Sequence, residues 1–221
     1  MNPKTLFQRI ETVSDEIQRL NNSVFAMQST DFEEYQTNYE ELSTNAALRA
    51  ERIACQLRNL VYVTNLPAKN HYMNQAALAH EISIQKEADI LAISLPGLLP
   101  KRKAHTNAAF LNEPLNYSMQ DYLKQHSLPL FENCVVCFSQ VYDRQLPLRR
   151  IRDYDNLEFK QILDTIATYI LRDDTGLFCD VFHTTELGEK DYTIIYIMEK
   201  VLFPDWIKTR KSGLQTISEI S

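Results

Sequence analysis

The chain has 221 residues, a hydrophobic content of 44%, a charged content of 24% and a formal net charge of −6. These values lie near the averages of globular proteins and exclude a mainly disordered chain. The negative total counts against a protein that binds nucleic acid over its whole surface, but a local basic patch remains compatible with it.

No apolar run approaches the length of a membrane span, which needs roughly 18 residues. The first residues turn polar and charged at once and lack the apolar core of a secretory signal. We therefore expect a cytoplasmic protein without a membrane segment.

Residues 1–88 are predicted to form a helical module. Apolar side chains recur at three- and four-residue steps along residues 3–29 and again between Asp31 and Pro67. This pattern favours a helical hairpin or a short antiparallel coiled coil, and a further helix is predicted over residues 70–88. The apolar stripes of these helices are expected to contact a second copy of the chain or a partner protein.

The composition changes near Ile90, and the order β-α-β-α-β-β is predicted from there to about residue 200. The last two strands are separated by a short turn-like segment that predicts a hairpin. We therefore expect an α+β fold in which the helical module precedes a small domain with a mixed sheet, residues 89–200. In the C-terminal tail, residues 201–221, Phe203 and Trp206 are expected to act as packing anchors.

The cysteines are few and spaced in a way that only superficially suggests a metal site. Cys134 and Cys137 have the spacing of a zinc half-site, but they fall in a predicted strand, where positions i and i+3 face opposite sides. No second Cys or His pair completes the site. Free thiols in a reducing compartment are the favoured interpretation, also for Cys55 and Cys179.

Charged residues at both ends of the predicted helix that follows the second strand are arranged in a way that suits a site of chemical reaction. Aspartates flank this helix on both sides, and carboxylates of this kind can hold a hard divalent cation. Arginines just before the first two aspartates can hold a phosphate beside that cation. The candidate metal ligands are Asp153, Asp155 and Asp174, and the candidate phosphate-binding residues are Arg149, Arg150 and Arg152, with a second basic cluster at Lys101, Arg102 and Lys103.

Each part of this pattern also has a simpler interpretation. Asp155 or Asn156 is a natural N-cap for the helix, and Asp173 and Asp174 begin an ordinary turn. A helix over residues 156–171 would be about 24 Å long. If the chain simply turned back after this helix, Asp174 would lie far from Asp153. A site shared by the two aspartates would then need elements that fold across each other, or two chains.

The stretch Arg152-Asp153-Tyr154-Asp155-Asn156-Leu157, followed by Leu163-Asp164 and Asp173-Asp174, resembles the RusA family of Holliday-junction resolvases. The preceding order also resembles that family, because a strand ending in Leu-Pro, a basic loop and a helix lead into the strand before the motif. The resemblance covers roughly residues 89–200 and leaves the N-terminal helices out.

The resemblance implies a homodimer that cuts branched DNA in recombination or repair, using Mg²⁺ or Mn²⁺ held by Asp153, Asp155 and Asp174. One position departs from the family pattern: the place of its catalytic lysine is taken by Phe159, and Lys160 lies one residue later. A shift of one residue turns a helical side chain by about 100°. The alternative is therefore a catalytically inactive RusA-like module that binds DNA or serves assembly, with the N-terminal helices contacting a partner.

Overall fold

The structure, a computed structural model, describes residues 2–31, 33–64, 69–100 and 109–210. The chain divides into two compact units, Met1–Asn70 and His71–Ser221. None of the helices in the described ranges is both long enough and apolar enough to cross a membrane.

The first unit is a helical hairpin, as the sequence predicts. Helix α1 spans Pro3–Ser29 and helix α2 spans Gln36–Thr64. Asn2 caps α1, because its side chain accepts a hydrogen bond of 3.0 Å from the backbone amide of Lys4. Between the helices, the guanidinium of Arg49 donates to the largely buried carboxylate of Glu16 at 2.7 Å.

The prediction of a helix over residues 70–88 is wrong in its second half. Helix α3 covers Lys69–Ala79, and strand β1 follows at Ser83–Glu87. The change of structure has a backbone cause, because Glu81 has a φ of 56° and Ala88 a φ of 52°. Residues in this left-handed region end a helix or close a tight turn. The second of these turns pairs β1 with its neighbour in antiparallel orientation.

The second unit is an α+β domain with a mixed sheet, as predicted. The sheet has the order β1-β2-β5-β3-β4, in which β3 and β4 are parallel and the other neighbours are antiparallel. The elements after β1 are β2 (Ile90–Pro96), α4 (Ala109–Gln125), β3 (Cys134–Asp143), α5 (Lys160–Ile170), β4 (Cys179–Gly188), β5 (Tyr192–Glu199) and α6 (Phe203–Thr209).

The predicted hairpin between the last two strands does not form. Strand β5 pairs with β2 and β3, so β3 lies between β4 and β5. The short connection after Gly188 crosses the end of β3, where the backbone amide of Asp143 donates to Asp191 Oδ1 at 2.8 Å. Parallel strands need a crossover connection, and α5 supplies it between β3 and β4.

Each face of the sheet is covered by helices. On one face, apolar side chains of α4 and α5 pack against Phe138 and its neighbours. On the other face, Phe203 and Trp206 pack against a smaller cluster that contains Cys137, which confirms their predicted role as packing anchors. Cys134 belongs to the first cluster and Cys137 to the second, so the two thiols lie on opposite faces, as predicted for a strand.

Candidate functional site

The aspartate-containing motif lies in the loop that joins β3 to α5. This loop contains two short 3₁₀ turns, Leu148–Arg150 and Tyr154–Asn156. Leu157 is 1% exposed and anchors the loop in the core, and the next amide, that of Glu158, donates to the carbonyl of Pro100 at 2.9 Å.

Helix α5 begins only at Lys160, with Phe159 at the cap position and no side-chain capping bond. The predicted helix start at residue 156 is therefore wrong. So is the prediction that Asp155 or Asn156 caps the helix, because both lie in the preceding 3₁₀ turn. Burial of Leu157 in the core separates this turn from the helix.

The three predicted arginines share one surface depression with part of the motif. Its volume is about 380 Å³, and it is lined by Arg149, Arg150, Ile151, Arg152, Asp153 and Asn156. Positive side chains around an open concavity are suited to a phosphate group. The structure thus brings one predicted metal ligand, Asp153, together with the predicted phosphate-binding arginines.

Arg150 is committed to a structural ion pair. Its guanidinium donates two hydrogen bonds to the carboxylate of Asp191, at 2.8 and 2.7 Å. The hydrogen bond and the charge of Arg150 lower the pKa of Asp191, and the same hydrogen bond raises the pKa of Arg150. Because Asp191 also accepts from the amide of Asp143, this pair ties the motif loop to the end of the sheet.

Arg152 makes hydrogen bonds within the protein, whereas the side chain of Arg149 makes none with the described residues. The amide of Arg152 donates to the hydroxyl of Tyr142 at 3.1 Å, and its Nη1 donates to the carbonyl of Leu99, also at 3.1 Å. Arg149 is exposed, and its side chain makes no hydrogen bond or ion pair with the described residues. Within the depression, Arg149 is therefore the arginine best placed to bind a ligand.

Asp174, which follows α5, lies closer to the start of that helix than the sequence suggests. Lys160 Nζ lies 2.9 Å from Asp164 Oδ1 and 3.7 Å from Asp174 Oδ2. The segment after α5 thus folds back along the helix to its first turn. Hydrogen bonds and charges of Asp164 and Asp174 raise the pKa of Lys160. Asp173 forms the turn that its sequence predicts, because its carboxylate accepts from the amide of Thr175 at 2.8 Å.

The predicted metal ligands do not form one complete set within a single chain. In the ranges that the structure describes, no group of three or more His, Cys, Asp or Glu side chains is arranged to hold a metal ion. Asp153 lines the depression and Asp155 is exposed two residues later, whereas Asp174 contacts Lys160. Lys101, Arg102 and Lys103 lie outside the described residues.

Phe159, at the position where the RusA pattern has a lysine, belongs to an aromatic cluster that holds the loop before α5. Its ring lies 5.5 Å from that of Phe138 and 4.9 Å, edge-on, from that of His183. Tyr154 stacks on the other side at 5.1 Å from His183 and hydrogen-bonds Thr185 at 2.8 Å. The cluster therefore joins β3, the 3₁₀ turn Tyr154–Asn156, the start of α5 and β4.

The roles of two residues in this region, His183 and Asp191, were not predicted from the sequence. His183 gave no signal, because its spacing to other histidines matches no ligand pattern, and only the pairing of β3 with β4 places it opposite Phe138. Asp191 lies in a segment that reads as an ordinary turn, and its role as partner of Arg150 depends on the crossing of the end of β3. Both roles arise from long-range pairing.

Comparison with other proteins gives a family but no activity. No curated protein matches the chain. A model described as a family of unknown function, DUF6100, matches residues 2–221, which is nearly the whole chain. The protein therefore belongs to the DUF6100 family of unknown function.

Proposed function

We propose that this protein binds branched DNA through the arginine-lined depression, as a RusA-like module in recombination or repair. The observation that carries the proposal is the shared depression of Arg149, Arg150, Arg152 and Asp153, in which Arg149 has no partner among the described residues. A local basic site of this kind binds phosphate even when the net charge of the protein is negative.

The order of elements supports the same proposal by analogy. Strand β3 leads into the motif, α5 follows, and the segment with Asp173 and Asp174 leads into β4, as in the resemblance to the RusA family. A fold does not determine a function, so this support is weaker than that of the depression itself. Phe159 favours binding over catalysis, because its ring is packed against Phe138 and His183 where the family has a lysine.

The proposal is tested by fluorescence anisotropy with a labelled four-way junction and a duplex of the same length. We expect the protein to bind the junction more tightly than the duplex. Arg149→Ala should weaken binding, whereas Lys124→Ala, the same loss of charge on an exposed residue at the end of α4, should leave it unchanged. Equal binding of junction and duplex, or equal effects of the two variants, would contradict the proposal.

A Mg²⁺- or Mn²⁺-dependent endonuclease is the second candidate function. Two observations favour it: Asp153 lines the depression, and Lys160 contacts Asp174. The described carboxylates of one chain form no group of three or more, so in this candidate waters or a second chain would supply the remaining ligands. Because the two strand pairs of a four-way junction are related by two-fold symmetry, such a homodimer would also match its substrate.

The two candidates are separated by a cleavage assay on the junction with added Mg²⁺ or Mn²⁺. Cutting that is lost in Asp155→Asn would favour the nuclease. Binding without cutting, at protein concentrations that saturate the junction, would favour the inactive module. The mass of the complex in light scattering then gives the number of chains per junction.

The N-terminal unit is proposed to serve assembly. Helix α1 exposes large apolar side chains, and those of Phe7 and Phe25 are 68% and 69% exposed. An apolar stripe of this kind on a helical hairpin is suited to a second copy of the chain or to a partner helix. Removal of both rings in Phe7→Ser/Phe25→Ser should lower the association of the chain in light scattering without changing its helix content.

A further inference from the structure

Three aromatic rings, Phe138, His183 and Tyr154, form a stack that leads from the core to the exposed loop before α5. Phe138, which is completely buried, stacks on His183 with centroids 5.5 Å apart and an angle of 21° between the rings. His183 stacks in turn on Tyr154, with centroids 5.1 Å apart and an angle of 19°. Tyr154 is the outermost ring and is 37% exposed.

The ring of Tyr154 is held in place before any ligand arrives. Its hydroxyl forms a hydrogen bond of 2.8 Å with Thr185 Oγ1 on β4, and the ring of Phe159 meets His183 edge-on at 4.9 Å. A rigid side chain loses little conformational entropy when a ligand binds to it.

The position of Tyr154 connects this ring to the phosphate-binding residues. Tyr154 lies between Asp153 and Asn156 in one 3₁₀ turn, and both of those neighbours line the depression with Arg149. A nucleotide presents a phosphate and a flat base a short distance apart. The turn carries an exposed aromatic ring next in sequence to Asp153, which lines the depression with the arginines.

We propose that Tyr154 is a stacking platform for an unpaired base of the DNA strand whose phosphate occupies the arginine-lined depression. This inference rests on the proposed DNA-binding function and adds the feature of DNA that is recognised, an unstacked base at a branch point. Bases stack on aromatic side chains without sequence preference, so the platform selects DNA by structure. Loss of one such contact weakens binding by about tenfold.

The inference is tested with a forked DNA that carries 2-aminopurine at the unpaired position next to the branch. Stacking on Tyr154 should quench the fluorescence of this base when the wild-type protein binds. A second fork, with an abasic site at the same position, should bind the wild-type protein about tenfold more weakly. This comparison uses the unaltered protein and so does not depend on the folding of a variant.

Variants of Tyr154 then assign the effect to its ring. Tyr154→Phe keeps the ring and should bind the intact fork nearly as well as wild type, with quenching retained. Tyr154→Leu keeps an apolar side chain without the ring. It should bind the intact fork about tenfold more weakly, no longer distinguish the abasic fork, and bind duplex DNA as before.

The outcomes separate failure of the platform from failure of the proposed function. If Arg149→Ala weakens binding but the wild type binds intact and abasic forks equally, the platform is wrong and the DNA-binding function stands. Unchanged quenching and affinity in Tyr154→Leu would also overturn the platform. If the wild type binds none of the DNA probes, the proposed function fails and the inference fails with it.

Discussion

The ring of Phe159 meets the imidazole of His183 edge-on, with the centroids 4.9 Å apart, at the position where the RusA resemblance has a lysine. The phenyl ring also contacts Phe138 on the neighbouring strand. Phe159 therefore packs the start of α5 against residues of β3 and β4.

Because of these contacts, the ring of Phe159 should stabilise the folded protein. Phe159→Ala should lower the free energy of unfolding by about 2–3 kcal/mol, at or below the lower end of the range for truncations of buried aromatic side chains, because the ring is only partly buried. Urea unfolding measures the change. Leu177→Ala, at a residue that is 85% exposed, is the control and should change stability by less than about 0.5 kcal/mol. Equal effects of the two substitutions would show that Phe159 has no role in holding the motif.

His183 should make the stability of the protein depend on pH. Burial lowers its pKa below the ordinary value of 6.5, so the unfolded chain takes up a proton at a higher pH than the folded protein does. The free energy of unfolding should therefore fall as the pH drops below about 6.5, and the loss should end once the folded protein is also protonated.

Urea unfolding at several pH values between 7.5 and 5 measures this dependence. His183→Phe keeps an aromatic ring between Phe138 and Tyr154 but cannot titrate, so its stability should fall less over the same interval. Among the described ring contacts of His183, Tyr154 carries the ionisable group, and it remains in the variant. An identical fall in wild type and variant would assign the dependence to other groups.

Arg210 should fix helix α6 against the second face of the sheet. Its guanidinium lies 4.5 Å from the ring centroid of Tyr196 and 4.6 Å from that of Trp206, and it pairs with Glu186. Arg210→Ala should lower stability by about 2 kcal/mol, since it removes a largely buried charged partner and two aromatic contacts.

Trp206 is the sole tryptophan of the chain, so its fluorescence reports on this contact directly. We expect the emission of Arg210→Ala to shift to longer wavelength as the indole becomes hydrated. Lys208→Ala, in the same helix but exposed, is the matched control and should leave the spectrum unchanged. A wild-type spectrum in Arg210→Ala would show that α6 stays docked without the arginine.

The elements with strong periodicity were predictable from the sequence. The stripe of Ile162, Leu163, Ile166 and Ile170 gives α5, and the compact apolar run that begins at Ile90 gives β2. Apolar spacing reports which side of an element is buried, and this property is local. The helical hairpin and the mixed α+β domain followed from it.

The predictions that were wrong concern features that depend on backbone geometry and on long-range strand pairing. Strand β1 was mistaken for helix because Glu81 and Ala88 adopt positive φ values that usually require glycine or asparagine. The insertion of β3 between β4 and β5 cannot be read from a short turn between two strands. The same limit applies to the site, because the contact of Asp191 with Arg150 and that of His183 with Tyr154 arise from strand pairing and were not predicted from the sequence.

The salt dependence of junction binding tests the central claim, that Arg149 and its depression bind a DNA phosphate. The association constant of wild type should fall steeply as the salt concentration rises, because bound phosphates release counterions. In Arg149→Ala the slope of log K against log salt should be shallower by about 0.9, the value for one lost phosphate contact, while Lys124→Ala should keep the wild-type slope. An unchanged affinity and slope in Arg149→Ala would contradict the account.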